Sequence, residues 1–243
     1  MPLQSRAMDH LLKPLAVLPW PDWLAIAVFF AGWVGYVIFS KRLAAVQPSI
    51  LATTNQRRRR WMRQTTYREN RIVDSAVTQS LSASPQFFAS TSILIIGGLL
   101  AALGATEKAS ELVRDLPFAA RTTVLVFDLK LALLAAIFVH AFFRFTWSLR
   151  QYSFGVIMVG AAPEAKLFAD DAQRELFADR AGRVMGLAAE TFNDGLRAYY
   201  LSFAAVAWFF SPWAFMAATG MVLWVLYRRE FHSEVLSALR DGL

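Results

Sequence analysis

Asp128 and Lys130 interrupt an otherwise apolar stretch, Thr122–Phe143. Ionisable groups inside such a stretch are costly unless they pair or meet water, so they mark a site. Two residues apart on a helix means roughly opposite faces, so each needs its own partner. The chemistry they fit is the passage of small ions along a polar path. Ser90, Thr91 and Ser92 in a second apolar stretch, and His140 with Arg144 one turn further along the first, supply groups that could extend it. Each also has a plainer reading. Lys130 can snorkel outward. A lone histidine at a membrane edge packs at the interface more readily than it relays protons. A run of small hydroxyl residues serves helix packing as well as a polar lining.

Four apolar stretches must position these groups: Trp23–Ser40, Ser75–Thr106, Thr122–Phe143 and Ala198–Tyr227. Each is long enough to cross a bilayer, which takes roughly 20 residues. With 56% apolar residues, the chain does not read as an ordinary soluble domain. The expectation is an all-α membrane protein, one domain over residues 1–243, with four transmembrane helices at 23–40, 84–105, 122–143 and 199–227. Cytoplasmic loops at 41–74 and 144–197 join them, and the second holds a long amphipathic helix over Glu164–Arg197. Along that helix Phe177, Ala181, Val184, Ala188, Thr191 and Gly195 form a narrow seam for a close partner, in the same chain or in another subunit. Ala89, Ile93, Gly97, Ala101 and Ala105 form a comparable stripe on the second crossing. Pro212 predicts a kink in the fourth. Residues 145–162 could be interfacial, re-entrant or a fifth crossing.

The net charge of +7 belongs to one loop. Residues 41–74 carry nine Lys/Arg and two Asp/Glu, including the run Arg57-Arg58-Arg59-Arg60-Trp61-Met62-Arg63. A juxtamembrane run of this kind reads as a contact for anionic lipid headgroups and a topology signal, and not as a nucleic-acid site. Thr53-Thr54-Asn55 argues against one helix through the loop, leaving a basic helix within Gln56–Val73 on the membrane face. The bias of Lys/Arg toward the cytoplasm then puts 41–74 and 144–197 inside and both termini outside. Arg228-Arg229 runs against that assignment.

Several chemistries lack their residues. There is no cysteine, and His10, His140 and His232 are far apart, so no metal or cofactor is expected. No zinc-protease, phosphate-loop, nucleophile-elbow or dinucleotide motif occurs. Asp170-Asp171 and Glu175 read as a solvated helix face. The chain is not expected to be an enzyme, and lipid modification is the weakest of the readings.

The segment Phe192-Asn193-Asp194-Gly195-Leu196-Arg197-Ala198-Tyr199-Tyr200 carries a resemblance. Leu226-Tyr227-Arg228-Arg229-Glu230-Phe231, Ser148-Leu149-Arg150-Gln151 and the Ser/Thr-Gly second stretch add to it. Together they resemble an uncharacterised membrane family of bacteria and plants, domain of unknown function 599, over about residues 20–235. Its motif positions here are Phe192, Asn193, Gly195, Arg197, Tyr199 and Tyr200. The resemblance implies a multi-pass protein of the bacterial inner (plasma) membrane and supplies no activity. Two functions are expected. One is a homo-oligomeric channel or transporter-like pore for small ions, favouring anions. The alternative is a non-catalytic accessory subunit bound to another membrane protein complex.

Overall fold

The computed structural model describes residues 18–114 and 123–240. Residues 1–17, His10 among them, and the expected start of the third crossing at Thr122 lie outside the described residues. The described chain is helical, as expected: α1 (Trp20–Ala44), α2 (Ile50–Thr65), α3 (Ile72–Gly104), α4 (Thr106–Arg114), α5 (Val124–Gly160), a 3-10 turn (Ala165–Leu167), α6 (Asp171–Ala207), α7 (Pro212–Phe231) and α8 (Glu234–Arg240).

Short polar side chains set where several helices begin. Ser49, Thr123, Asp170 and Ser211 each accept a hydrogen bond from the backbone N–H three residues on, which satisfies a donor the helix cannot. The cap at Ser49 starts α2 earlier than expected. Thr53-Thr54-Asn55 does not interrupt it, because Thr54 Oγ1 donates back to the carbonyl of Ile50 at 2.8 Å. The basic helix therefore ends at Thr65 and packs along α6.

Among the described residues three helices, α1, α3 and α5, are long and apolar enough to cross a membrane. Their outer surfaces are apolar as well: Val34 and Ile38 on α1, Leu94 and Leu100 on α3, Leu125 and Phe143 on α5. Water penalises such a surface by about 25 cal/mol per Å², whereas a bilayer does not. The fold is that of a chain compatible with multiple membrane passes.

The fourth apolar stretch, 199–227, is not one kinked helix. The chain turns at Trp208–Ser211 and reverses. Trp208 stacks on Phe215 at 5.4 Å, and at the other end of the hairpin Arg229 donates to the Tyr200 hydroxyl. Ser211 caps α7 and Pro212 sits in its first turn. There the missing N–H of proline costs nothing, so the residue starts a helix and does not bend one.

Helices α3, α5 and α6 have 33, 37 and 37 residues. At about 1.5 Å per residue each exceeds a bilayer core of roughly 30 Å. Each continues into a second half of the molecule. The first half has a core of Phe29, Ala141, Phe145, Leu201, Trp208 and Phe215. The second is built on Met62, Tyr152, Val159, Ala181, Met185 and Ala188. Residues 145–160 are thus neither a re-entrant segment nor a separate crossing; they prolong α5. The helix tolerates its charges there because Arg144 pairs with Asp194 and Arg150 lies over the Phe154 ring at 5.5 Å.

The α6 seam is used within the chain. Ser148 Oγ donates to the Ala188 carbonyl at 2.7 Å, and a Cβ at Gly195 would stand 2.5 Å from the Phe145 ring. On its other side a Cβ at Gly182 would stand 2.7 Å from the Arg59 Cα. Small residues let α5 and α2 both reach the α6 backbone. The stripe on α3 behaves differently. Ala89 is buried, but Ile93, Gly97 and Ala101 are exposed, and a Cβ at Gly97, Gly98 or Gly104 would touch nothing within 4 Å among the described residues.

Candidate functional site

The charged residues of the first half gather at two levels. Lys130 and Arg144 mark them, about 21 Å apart along α5 at 1.5 Å per residue. At the Lys130 level Asp128 accepts from Thr106 Oγ1 at 2.8 Å. Lys130 does not snorkel outward. It is 2% exposed and its Nζ donates to the Trp208 carbonyl at 2.9 Å, beside the Trp208 and Phe209 rings. That carbonyl belongs to the cap of α6, where a cation also meets the negative end of the helix dipole. On the other side of Trp208, the indole Nε1 donates to buried Asp22 at 2.6 Å. Asp128 and Lys130 thus have separate partners, as their spacing required. Lys130 serves the α6–α7 turn, and Asp128 ties the start of α4 to α5.

The hydroxyl run is dispersed. Ser90 is exposed, Thr91 donates to the Phe87 carbonyl, and Ser92 alone reaches another helix, at 2.9 Å from the Tyr199 hydroxyl. His140 is exposed and meets the Trp33 ring edge-on at 5.5 Å. Aromatic contacts run from one level to the other: Phe29 with Phe215 at 5.0 Å, Phe138 with Tyr199 at 5.1 Å, and Phe88 with Phe145 at 5.3 Å. The residues expected to line one path are therefore separated by apolar packing.

The Arg144 level is built differently. Asp194 pairs with Arg144 and, at 3.1 Å, with Arg197. Arg197 is buried and lies over the Tyr36 ring at 5.5 Å. Next to this trio opens a cleft of about 670 Å³ between α1, α2, α5, α6 and the end of α7. Three cations, Lys41, Arg144 and Arg197, and three carboxylates, Glu190, Asp194 and Glu230, line it. Glu190 also accepts from the Asn55 amide at 2.9 Å, and Glu230 from the Leu51 backbone N–H at 3.1 Å. Two buried atoms of the lining, Arg144 Nε and Gln151 Oε1, have no hydrogen-bond partner among the described residues. Such orphans are uncommon in folded proteins, and here one is a donor and one an acceptor. Both atoms are sealed from solvent, so contact with a ligand would fall to the charged side chains of the lining.

Most of the arginine run is engaged by protein. Arg59 pairs with Asp179 at 3.0 Å and Arg63 with Glu175 at 2.9 Å, both on α6. Arg57 donates to the Leu239 carbonyl on α8 at 2.9 Å, and Arg58 to Asn55 Oδ1 at 2.8 Å. Burial lowers the pKa of the Arg58 guanidinium from its ordinary value, with Tyr152 and Glu190 nearby acting in the opposite sense. Arg60 is exposed. Beyond the run, fully buried Asp74 accepts from Trp61 Nε1 at 2.7 Å and pairs with Arg68, which ties the start of α3 to α2.

Of the family-motif positions, Gly195, Arg197 and Tyr200 act around this level, whereas Tyr199 meets Phe138 and Ser92 between the levels; Phe192 packs on Phe145 at 5.6 Å and Asn193 borders a smaller adjoining pocket. The residue that joins the cations, Asp194, stands inside the same motif, yet sequence reasoning gave it no role. Its spacing of three from Arg197 was the available signal. Glu190, Glu230 and Lys41 come from distant parts of the chain and carried none. Among the described residues no group of three or more His, Asp or Glu could hold a metal ion. No curated protein and no solved structure matches the chain. One family does, over residues 24–235, and the chain belongs to it: the family described as protein of unknown function, DUF599.

Proposed function

We propose that this is a membrane-anchored accessory protein that presents a rigid helical cytoplasmic half and a ligand cleft at the membrane boundary, and that a single copy does not conduct. One observation carries this reading: apolar and aromatic packing fills the space between the Lys130 and Arg144 levels, while the polar cleft opens only at the second. Continuous α3, α5 and α6 link the two halves.

The hairpin also favours five crossings over four: α1, the second half of α3, the first half of α5, the end of α6, and α7. In this reading Arg228, Arg229 and Arg240 join loops 41–74 and 144–197, so 19 of the 25 Lys/Arg share one side. That bias assigns the carboxyl terminus to the cytoplasm and the amino terminus to the opposite side.

A homo-oligomeric pore is the second reading, supported by the open small-residue face of α3 at Gly97, Gly98 and Gly104. Such a face allows close approach of a second helix. Ion flux into liposomes, measured for folded protein beside Asp128→Asn, separates the two. The expected outcome is no flux above empty liposomes. Flux that disappears in Asp128→Asn would replace the anchor reading with the pore.

A further inference from the structure

The cleft at the Arg144 level is a candidate site for a specific ligand chemistry. Its six charged residues sum to zero, three of each sign. An anion such as a free phosphate would meet Glu190, Asp194 and Glu230 at close range, and a cation would meet Lys41, Arg144 and Arg197. A ligand carrying both signs meets neither penalty. The volume falls in the roughly 300–1,000 Å³ range of small-molecule sites.

Position narrows the class further. α1 leaves its apolar run at Ser40-Lys41, and Trp147 on α5 is half exposed at the cleft rim. Tryptophan and basic residues concentrate at the depth of lipid headgroups. We propose that the cleft binds a phosphoethanolamine group, its phosphate against Lys41, Arg144 and Arg197 and its primary ammonium against Glu190 and Glu230. The source is a membrane phospholipid or a soluble phosphoethanolamine; the chemistry is common to both. A primary ammonium donates hydrogen bonds to the carboxylates, which a trimethylated one cannot. The inference rests on the membrane placement proposed above.

The test is lipid retention by the full chain in nanodiscs that contain equal parts of phosphatidylethanolamine, phosphatidylcholine and phosphatidylglycerol, read by native mass spectrometry. Phosphatidylethanolamine should be retained about tenfold over each of the others, the equivalent of one charge-assisted contact. Glu190→Gln and Lys41→Gln should each reduce that preference while leaving the unfolding midpoint unchanged. Soluble O-phosphoethanolamine, added to protein in phosphatidylglycerol alone, forms the second arm. Binding there, lost in Glu190→Gln, upholds the chemistry and identifies a soluble source. Equal retention of the three lipids with no soluble binding overturns the assignment, and so does a preference for phosphatidylglycerol that Glu190→Gln leaves intact. A chain that does not enter membranes at all would instead overturn the placement, which fractionation reads separately.

Discussion

The Lys130 and Arg144 levels use the same residue types for opposite purposes. At the first, Lys130 and Asp22 are almost completely buried, and both are satisfied by one residue, Trp208. At the second, Arg144 and Asp194 are a third and a fifth exposed and border an open cleft. A charge sealed within the packing and held by its neighbours serves structure. A charge that is matched in part and open to solvent retains capacity for a ligand. The difference explains why intramembrane ionisable residues alone are a poor guide to a site.

Stability measurements should separate the levels. Lys130→Met removes a buried charged hydrogen bond at the α6–α7 turn and should cost about 2–3 kcal/mol in reversible detergent unfolding. A variant as stable as the parent would abolish the distinction. Gly195→Leu drives a side chain into the Phe145 ring directly under the cleft and should cost about 1–3 kcal/mol, with cleft function lost as well. Arg144→Gln should be milder. Its pair is partly solvated, so a loss of about 0–1 kcal/mol is expected, alongside weakened retention of the headgroup. A loss as large as that of Lys130→Met would make the Arg144 level architectural too. Smallest of all, Gly97→Leu adds a side chain where nothing lies within 4 Å and should leave the unfolding midpoint within error. If light scattering shows that it also reduces particle mass, a second copy covers α3, and the comparison must be redrawn for an oligomer.

Much of the architecture was legible because it depends on local chemistry. Apolar length marked α1, α3 and α5, and the seam of Ala181, Ala188 and Gly195 announced a close neighbour. The hairpin was also present in local form. Ser211-Pro212 is a capping residue followed by a first-turn proline, a start signal that the surrounding apolar run concealed. Residues 145–160 were ambiguous for a related reason: Arg144 and Arg150 look like the end of a crossing until their partners are known.

What the sequence determined by itself is the apolar helical character of the chain, its family and the concentration of positive charge in one loop. These follow from composition, periodicity and neighbours within a few residues. Only the tertiary structure decided that Asp128 and Lys130 are held by Thr106 and Trp208, that α5 and not another subunit fills the α6 seam, and that Lys41, Arg144, Glu190, Arg197 and Glu230 share a cleft. Those pairings join residues up to 189 positions apart, from Lys41 to Glu230. Whether a charge is sealed or open depends on what packs over it, and that is set by the crossing of whole helices, not by spacing along one.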